Sequence, residues 1–484
     1  MSGSGQDSAQ PTRWAASQPA ARPAKQPASQ PARRPAAPPV APGASIADRA
    51  RGLLRRTTLA TLAQLGVPPS LARDALLIFT FTRIGFIGLT LAIMVLKLHR
   101  APSLDGFITL WARFDATFYA RLSRDGYSPA VPYRAAFFPL QPMLTAVVRP
   151  LIGGNIYLAS IIVSNLAFLA ALLGMAALTG PPLGRARSPW TAWSATLTEE
   201  RQARGESALV AAPLASARSG GGAAVGNAES GAAQLALAQR AMLYLALFPM
   251  ALFLFAGYAD SLFLALAIWC LVALRRKAWV TAGLLGLLAT MTRQMGLFLA
   301  LPFAYDYLTA ARWRPRAIRA DALAIFLIPT GLLLFMAWLW HSLGDPLAWL
   351  HAEKYWGHTF TLPWVTLASA IPALLQEHYL PLFYKDALDL LMVAVFAALI
   401  VIGVRRRLLG DTVYSVAIWL LAVCYPAVGW PLQSDARYML LAIPCFVTLA
   451  QLGRHRWLHA VILVVWLLLL LATTQYFLRG NLII

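Results

Sequence analysis

The sequence predicts an all-α, polytopic membrane protein with about eleven transmembrane helices, and two observations support this fold class. The first is composition: the 484-residue chain is 59% hydrophobic and only 13% charged, with a mean hydropathy of +0.60. A water-soluble globule of this composition would expose too much apolar surface to water. The second is that long apolar runs alternate with short basic segments, which is typical of helices that cross a bilayer.

A membrane span needs about 20 predominantly apolar residues, and most of the predicted spans follow from that requirement. The runs that meet it are 76–98, 156–179, 241–257, 260–274, 321–341, 387–404, 412–429, 437–452 and 457–477. The stretch 278–308 is too long for one span and is interrupted by the polar residues around Arg293. It therefore predicts two short helices that meet at Arg293.

The formal net charge of +21 indicates the orientation of these spans, because Lys and Arg concentrate in short cytoplasmic loops. With the N terminus inside, all the strongly basic short loops lie on the cytoplasmic side: 275–277, 309–320, 405–411 and 453–456. Basic residues scattered between apolar runs do not form the continuous basic face of a nucleic-acid binder, so we expect no nucleic-acid partner. The Ala- and Arg-rich opening is typical of a high-GC genome, which favours the plasma (inner) membrane of a bacterium.

Two segments outside the spans have the composition of flexible chain. Residues 1–74 are rich in Ala, Pro, Gln, Ser and Arg and cannot bury enough apolar surface to offset ordering entropy, so they predict a disordered basic cytoplasmic tail. Residues 75–484 form the predicted membrane domain, with a flexible cytoplasmic insertion at 180–240. The apolar segment 361–377 contains two prolines and predicts an interfacial or re-entrant helix on the outer side.

The predicted outer segments, 99–155 and 342–386, carry most of the polar residues that could act on a substrate. In the first of them, Trp111, Phe114 and Phe118 have helical spacing and predict an apolar stripe along the membrane surface, with Asp115 beside it. A carboxylate in partly apolar surroundings is a candidate general base. Alternatively, Asp115 pairs with a neighbouring arginine, Arg113 or Arg121.

Several short motifs resemble those of the PIG-V-type mannosyltransferases, which are multi-spanning glycosyltransferases of the GT-C class. The motifs are Arg113-Phe114-Asp115 through Tyr119, Gly126-Tyr127, Ala136 through Pro142, Tyr258-Ala259-Asp260-Ser261-Leu262-Phe263, Thr292-Arg293-Gln294-Met295-Gly296 and Arg437-Tyr438 with Pro444. Their order along the chain also fits, so the resemblance covers roughly 76 to 452. The chain differs in having Phe114 where the family often has Trp, Asp260 where it has Glu, and a long tail and insertion.

The resemblance implies a GT-C-like architecture and an inverting transfer of mannose from polyprenyl-phosphate mannose to an acceptor hydroxyl at the outer face. Asp115 would be the catalytic base, and Arg293 and Arg437 would bind the donor phosphate. The candidate substrate-binding residues are Arg113, Tyr119, Tyr127, Tyr258, Asp260, His351, Trp356 and Tyr438. The implied partners are the lipid-linked donor, a glycolipid or glycan acceptor and membrane lipid. No metal and no other cofactor are expected, because a lipid-phosphate donor carries no nucleotide.

The same residues also allow other interpretations of the site and of the function. Arg293 could merely interrupt a helix, Arg437 could pair with Asp435, and Asp260 could cap the helix that begins at Ser261. The histidines His351 and His358 could bind a metal together with Glu353, although their pattern as ligands is poor. The rival functions are a carrier that moves a polyprenyl-linked glycan across the membrane, and a lipid-donor glycosyltransferase that uses another sugar. The absence of internal repeats weighs against the carrier.

Overall fold

The computed structural model describes residues 57–58, 60–181, 222–406 and 409–481, and these residues are nearly all helical, at 79%. Within the described ranges there is no β-strand, only isolated bridges at His358, Ala427 and Trp430. The all-α prediction is therefore confirmed. Most of the predicted tail and most of the predicted insertion lie outside the described residues.

From Pro69 onwards, seventeen α-helices follow one another along the described ranges. They are α1 (Pro69–Leu96), α2 (Leu104–Trp111), α3 (Asp115–Asp125), α4 (Leu140–Val148), α5 (Ile156–Thr179), α6 (Gly222–Ala246), α7 (Asp260–Arg275), α8 (Trp279–Thr290), α9 (Ala300–Ala310), α10 (Leu327–Leu343), α11 (Ala348–Glu353), α12 (Pro363–Gln376), α13 (Leu380–Arg405), α14 (Leu409–Cys424), α15 (Asp435–Met439), α16 (Ile443–Leu452) and α17 (Arg456–Arg479). Short 3-10 turns connect them at Pro132–Ala136, Arg149–Ile152, Ala251–Leu254, Gln294–Leu299, Pro315–Ala317, Ala320–Phe326 and Lys354–Trp356.

Five helices among the described residues are long and apolar enough to cross a membrane: α1, α5, α13, α17 and the run Ala320–Leu343, which ends in α10. Each coincides with a predicted span, because an unbroken apolar run of about 20 residues can satisfy its backbone hydrogen bonds only as a helix. These helices are compatible with a multi-pass membrane protein.

The other predicted spans are shorter or broken, so the count of about eleven spans is not confirmed. The run 241–257 contains the end of α6 and the 3-10 turn Ala251–Leu254, and 412–429 contains the end of α14 and an irregular segment. The run 437–452 is split between α15 and α16. The hydropathy of these segments indicates that they lie in an apolar environment, but it does not show where each helix ends.

Two predicted boundaries also differ from the observed helices. Helix α1 begins at Pro69, inside the predicted tail, and α6 begins at Gly222, inside the predicted insertion 180–240. Pro69 occupies the first helical position, where a proline costs no hydrogen bond. The predicted outer helix at 361–377 is observed as α12, with Pro363 in its first turn.

Helix α5 lies at the centre of the bundle and packs against α1, α6 and α7. In its most apolar stretch 61% of the residues are buried, against 22% in α1, so α5 is internal and α1 is peripheral. Almost every residue of α7 is buried, which is expected of a helix that is apolar all round. Its first residue, Asp260, is charged and fully buried, and it belongs to the candidate site.

The predicted break at Arg293 is confirmed and is tightly packed. Helix α8 ends at Thr290, Arg293 has an extended backbone, and a 3-10 turn from Gln294 leads into α9. A Cβ atom on Gly296 would lie 2.3 Å from the Thr290 backbone nitrogen, so the chain can fold back on α8 only with glycine at that position.

Candidate functional site

The connection between α2 and α3 positions Asp115 as the first residue of α3. Phe114, just before it, has a φ of 48°, a left-handed conformation that strains a bulky residue. Hydrogen bonds from its neighbours fix this bend: Arg113 donates from Nη2 to the Leu478 carbonyl at 3.1 Å, and the Tyr258 hydroxyl donates to the Arg113 carbonyl at 3.0 Å. Strain held in place by surrounding contacts is common at functional sites.

The predicted apolar stripe on one helix is wrong. Trp111 ends α2 and is fully buried, where it donates to Thr90 and packs on Phe255 with ring centroids 4.5 Å apart. Phe118 belongs to α3, on the other side of the bend. Residues 111–118 therefore form a half-buried corner, and this corner holds Asp115 in place.

A network of four charged side chains joins the corner to three distant parts of the chain. Arg437 donates from Nη1 to Asp115 at 2.6 Å and from Nη2 to Asp260 at 2.8 Å. Arg293 donates from Nη2 to the same oxygen of Asp260 at 3.0 Å. Two carboxylates and two guanidinium groups balance one another, which is the condition under which charges can be buried at tolerable cost.

Each member of the network lies at a helix end, at a break or in a very short helix. Asp260 begins α7, where its negative charge interacts favourably with the N-terminal dipole, and its side chain is 0% exposed. Arg437 lies in the short helix α15, and its guanidinium also stacks over Phe253 and Tyr258 at 4.8 Å and 4.6 Å from the ring centroids. Backbone breaks thus bring together residues that an unbroken helix would separate.

A cavity of about 140 Å³ opens above this network. Its lining is a mixture of charged, amide and aromatic side chains: Asp115, Tyr119, Ala136, Phe137, Phe138, Thr292, Arg293, Gln294, Met295, Glu353, Trp356, His358, Gln433, Ser434, Arg437 and Tyr438. Aromatic rings beside hydrogen-bonding groups are suited to a ligand that has both apolar faces and polar edges, such as a sugar.

Many of the residues singled out in the sequence are brought together here. Those that line the cavity are Asp115, Tyr119, Arg293, Trp356, Arg437 and Tyr438. Tyr258 and Asp260 lie behind Arg437, where they contact its guanidinium and do not line the cavity. Both arginines therefore already have a carboxylate partner in the protein.

Three other candidates lie away from the cavity. The Arg113 guanidinium donates to the carbonyls of Leu110 and Leu478, so it supports the bend before Asp115. The Tyr127 hydroxyl donates to the Phe137 carbonyl at 2.6 Å, and the His351 imidazole pairs with Asp345 at 2.7 Å. The structure gives these side chains supporting contacts and does not place them on the cavity wall.

The structure also corrects two simpler pairings that the sequence allowed. Arg437 pairs with Asp115 and Asp260 and has no ion pair with Asp435 among the described residues. Asp115 pairs with Arg437 and not with Arg113 or Arg121. Neighbours in sequence are the obvious partners, but α15 brings Arg437 to Asp115 from a distant part of the sequence.

Glu353 is the cavity residue that sequence reasoning undervalued. The sequence suggests it only as a possible metal ligand beside His351 and His358, but its side chain lines the cavity at the end of α11. Burial raises the pKa of the Glu353 carboxyl above its usual range, and the charge of His358 opposes that shift. Gln294 and Gln433 also line the cavity but are not among the predicted site residues, although Gln294 stands in one of the quoted motifs and Gln433 lies four positions before Arg437.

In the part of the chain that the structure describes, no group of three or more His, Cys, Asp or Glu side chains could hold a metal ion. The cysteines Cys270, Cys424 and Cys445 are buried and unpaired, as expected of core residues.

Comparison with known proteins adds no assignment, since no family model, no curated protein and no solved structure matches this chain.

Proposed function

We propose that the cavity binds the phosphate of a polyprenyl-phosphate sugar at the outer face of the membrane. In this proposal the protein transfers the sugar to an acceptor hydroxyl with inversion at the anomeric carbon. The single observation that carries this proposal is the convergence of Arg293, Arg437 and two carboxylates, Asp115 and Glu353, on one cavity. Mannose is the proposed sugar, on the resemblance of the motifs around Asp115 to those of PIG-V-type mannosyltransferases.

Arg293 is the better placed of the two arginines to meet a phosphate. Arg437 is shared between Asp115 and Asp260, whereas Arg293 has one ion pair, to Asp260, and its Nε has no hydrogen-bond partner among the described residues. Its side chain is 13% exposed and lines the cavity. A guanidinium with unused donors can bind phosphate strongly, because charge-assisted hydrogen bonds are about twice as strong as neutral ones.

The transfer reaction requires a group that stabilises the leaving phosphate and a group that accepts the proton of the acceptor hydroxyl. The acceptor oxygen attacks the anomeric carbon, the bond from that carbon to the phosphate oxygen breaks, and the leaving phosphate keeps the electron pair. Arg293, held by Asp260, stabilises the charge that grows on the phosphate, and a cavity carboxylate takes the acceptor's proton. Asp115 is the base that the sequence predicts, and its pairing with Arg437 gives it a second role in placing that arginine.

The proposal is tested by incubating the purified protein with radiolabelled polyprenyl-phosphate mannose and either methyl mannoside or a glycolipid extract. We expect labelled acceptor, with free polyprenyl phosphate released only when acceptor is present. Movement of intact donor across a vesicle membrane, without release, would instead favour the carrier.

In the same assay, Arg293→Gln is expected to weaken donor use, since a hydrogen bond to a charged group is worth about 1.5–3 kcal/mol. We expect kcat/KM for the donor to fall by about 10- to 150-fold. Arg121→Gln, on the exposed side of α3, serves as the matched control and should behave as wild type. Equal kcat/KM for Arg293→Gln and the control would remove Arg293 from the donor site.

A further inference from the structure

Among the described residues, the carboxylates of Asp115 and Glu353 line the cavity, and Glu353 takes no part in the network of four charged side chains. It lies at the end of α11, and it has neither a hydrogen bond nor an ion pair within the described parts of the chain. Asp115 and Asp260 are both engaged by arginines. A carboxylate left without a partner in a polar cavity is available to a ligand.

Asp115 and Glu353 differ in the partners that they have in the protein. One oxygen of Asp115 receives a hydrogen bond from Arg437 at 2.6 Å, so this carboxylate is held by a guanidinium. Glu353 has no such partner among the described residues, and burial raises the pKa of its carboxyl. A cavity carboxylate without a partner and with a raised pKa is a good candidate for proton transfer.

The surroundings of Glu353 hold it in position without neutralising it. The ring of Trp356 packs on Phe118 and Phe137, with centroids 5.4 Å and 6.0 Å away, which anchors the 3-10 turn that follows Glu353. The titratable and charged groups that share its cavity are Asp115, Tyr119, Arg293, His358, Arg437 and Tyr438. None of them forms an ion pair with it among the described residues, and on its own element His351 is paired with Asp345.

We propose that Glu353 takes the proton of the acceptor hydroxyl, while Asp115 is the fixed anion that orients Arg437. The proposal rests on the proposed function. In the step, the acceptor O–H bond breaks and its proton goes to the Glu353 carboxylate, as the oxygen forms a bond to the anomeric carbon. The bond from that carbon to the phosphate breaks, and its electron pair leaves with the phosphate. Solvent later removes the proton from Glu353.

The test is Glu353→Gln, with Glu353→Asp as the conservative variant, using polyprenyl-phosphate mannose and methyl mannoside. We expect kcat to fall by about 10²- to 10⁴-fold, the usual contribution of a general base, with KM for the donor little changed. Wild-type kcat/KM should fall at acid pH as Glu353 becomes protonated, and this acid limb should disappear in Glu353→Gln. Partial recovery in Glu353→Asp is expected because a carboxylate is restored.

Glu377→Gln is the matched control, since Glu377 lies in the same predicted outer segment but does not line the cavity. Wild-type kcat in Glu353→Gln would overturn the proposal. So would a raised KM for methyl mannoside with unchanged kcat, because that result would make Glu353 a binding group only.

A second readout does not depend on activity. Because the pKa of Glu353 is higher in the folded protein than in the unfolded chain, the folded state binds more protons, and stability should decrease as pH rises through that pKa. Glu353→Gln should therefore melt at a higher temperature than wild type at neutral pH and at a similar temperature at acid pH. A wild type that transfers no sugar would refute the proposed function, whereas identical melting at every pH would refute the unpaired state of Glu353.

Discussion

Replacing Asp260 with asparagine is expected to lower the free energy of unfolding by about 3–5 kcal/mol, the usual cost of removing one partner from a buried ion pair. Asp260 is 0% exposed and is the anion that Arg293 and Arg437 share. Its loss leaves the guanidinium groups of Arg293 and Arg437, the second of them buried, with only Asp115 to balance them. Thermal unfolding of the purified variant in detergent measures the effect.

Two further variants show whether the loss arises from unpaired charge. Asp260→Asn combined with Arg437→Gln removes one charge of each sign, so it should be less destabilised than the sum of the single changes. Asp345→Asn breaks an exposed pair with His351 and should cost at most about 1 kcal/mol. If Asp260→Asn melts like wild type, Asp260 does not stabilise Arg293 and Arg437.

Replacing Asp115 with asparagine is expected to reduce transfer by about 10²- to 10³-fold, the loss typical when one group that stabilises charge in the transition state is removed. The amide has the shape of the carboxylate but no charge, so Arg437 loses the anion that fixes its guanidinium beside the cavity. Because Asp115 is 21% exposed and its replacement still offers an oxygen to Arg437, folding should be nearly unaffected. Transfer from polyprenyl-phosphate mannose and melting temperature are measured together.

Asp105→Asn is a suitable control, since Asp105 is exposed in α2 and lies outside the cavity. Turnover by Asp115→Asn within about twofold of wild type would show that neither proton transfer through Asp115 nor its hold on Arg437 matters to the reaction.

The five long helices could be predicted from the sequence because each is an unbroken apolar run of sufficient length. The broken segments could not be predicted in the same way. Trp111 and Phe118 have the spacing of one helix face, but the left-handed backbone of Phe114 separates them, and that bend depends on hydrogen bonds to Tyr258 and Leu478. Contacts so distant in sequence leave no periodic signal in the local residues.

The candidate site, like the fold, could be predicted only in part from the sequence. The resemblance and the expected polarity of the outer segments were enough to single out Asp115, Arg293 and Arg437. Their pairing was not predictable, because Asp115 and Arg437 are separated by 322 positions and no spacing rule connects them. Asp260 was considered as a helix cap or a substrate contact, and the structure places it between the two arginines. In the sequence, Glu353 resembles an ordinary solvent-exposed loop residue. Only the fold shows that it lines the same cavity.

The central claim is that the sugar of a lipid-linked donor binds in the cavity above this network. It is tested most directly by photolabelling the wild-type protein with a polyprenyl-phosphate mannose analogue that carries a diazirine on the sugar, followed by mass spectrometry of the labelled peptides. We predict labelling within 113–119, 292–295, 353–358 and 433–438, suppressed by excess unlabelled donor. Labelling confined to helix surfaces outside these segments, or labelling that excess donor does not suppress, would contradict the claim.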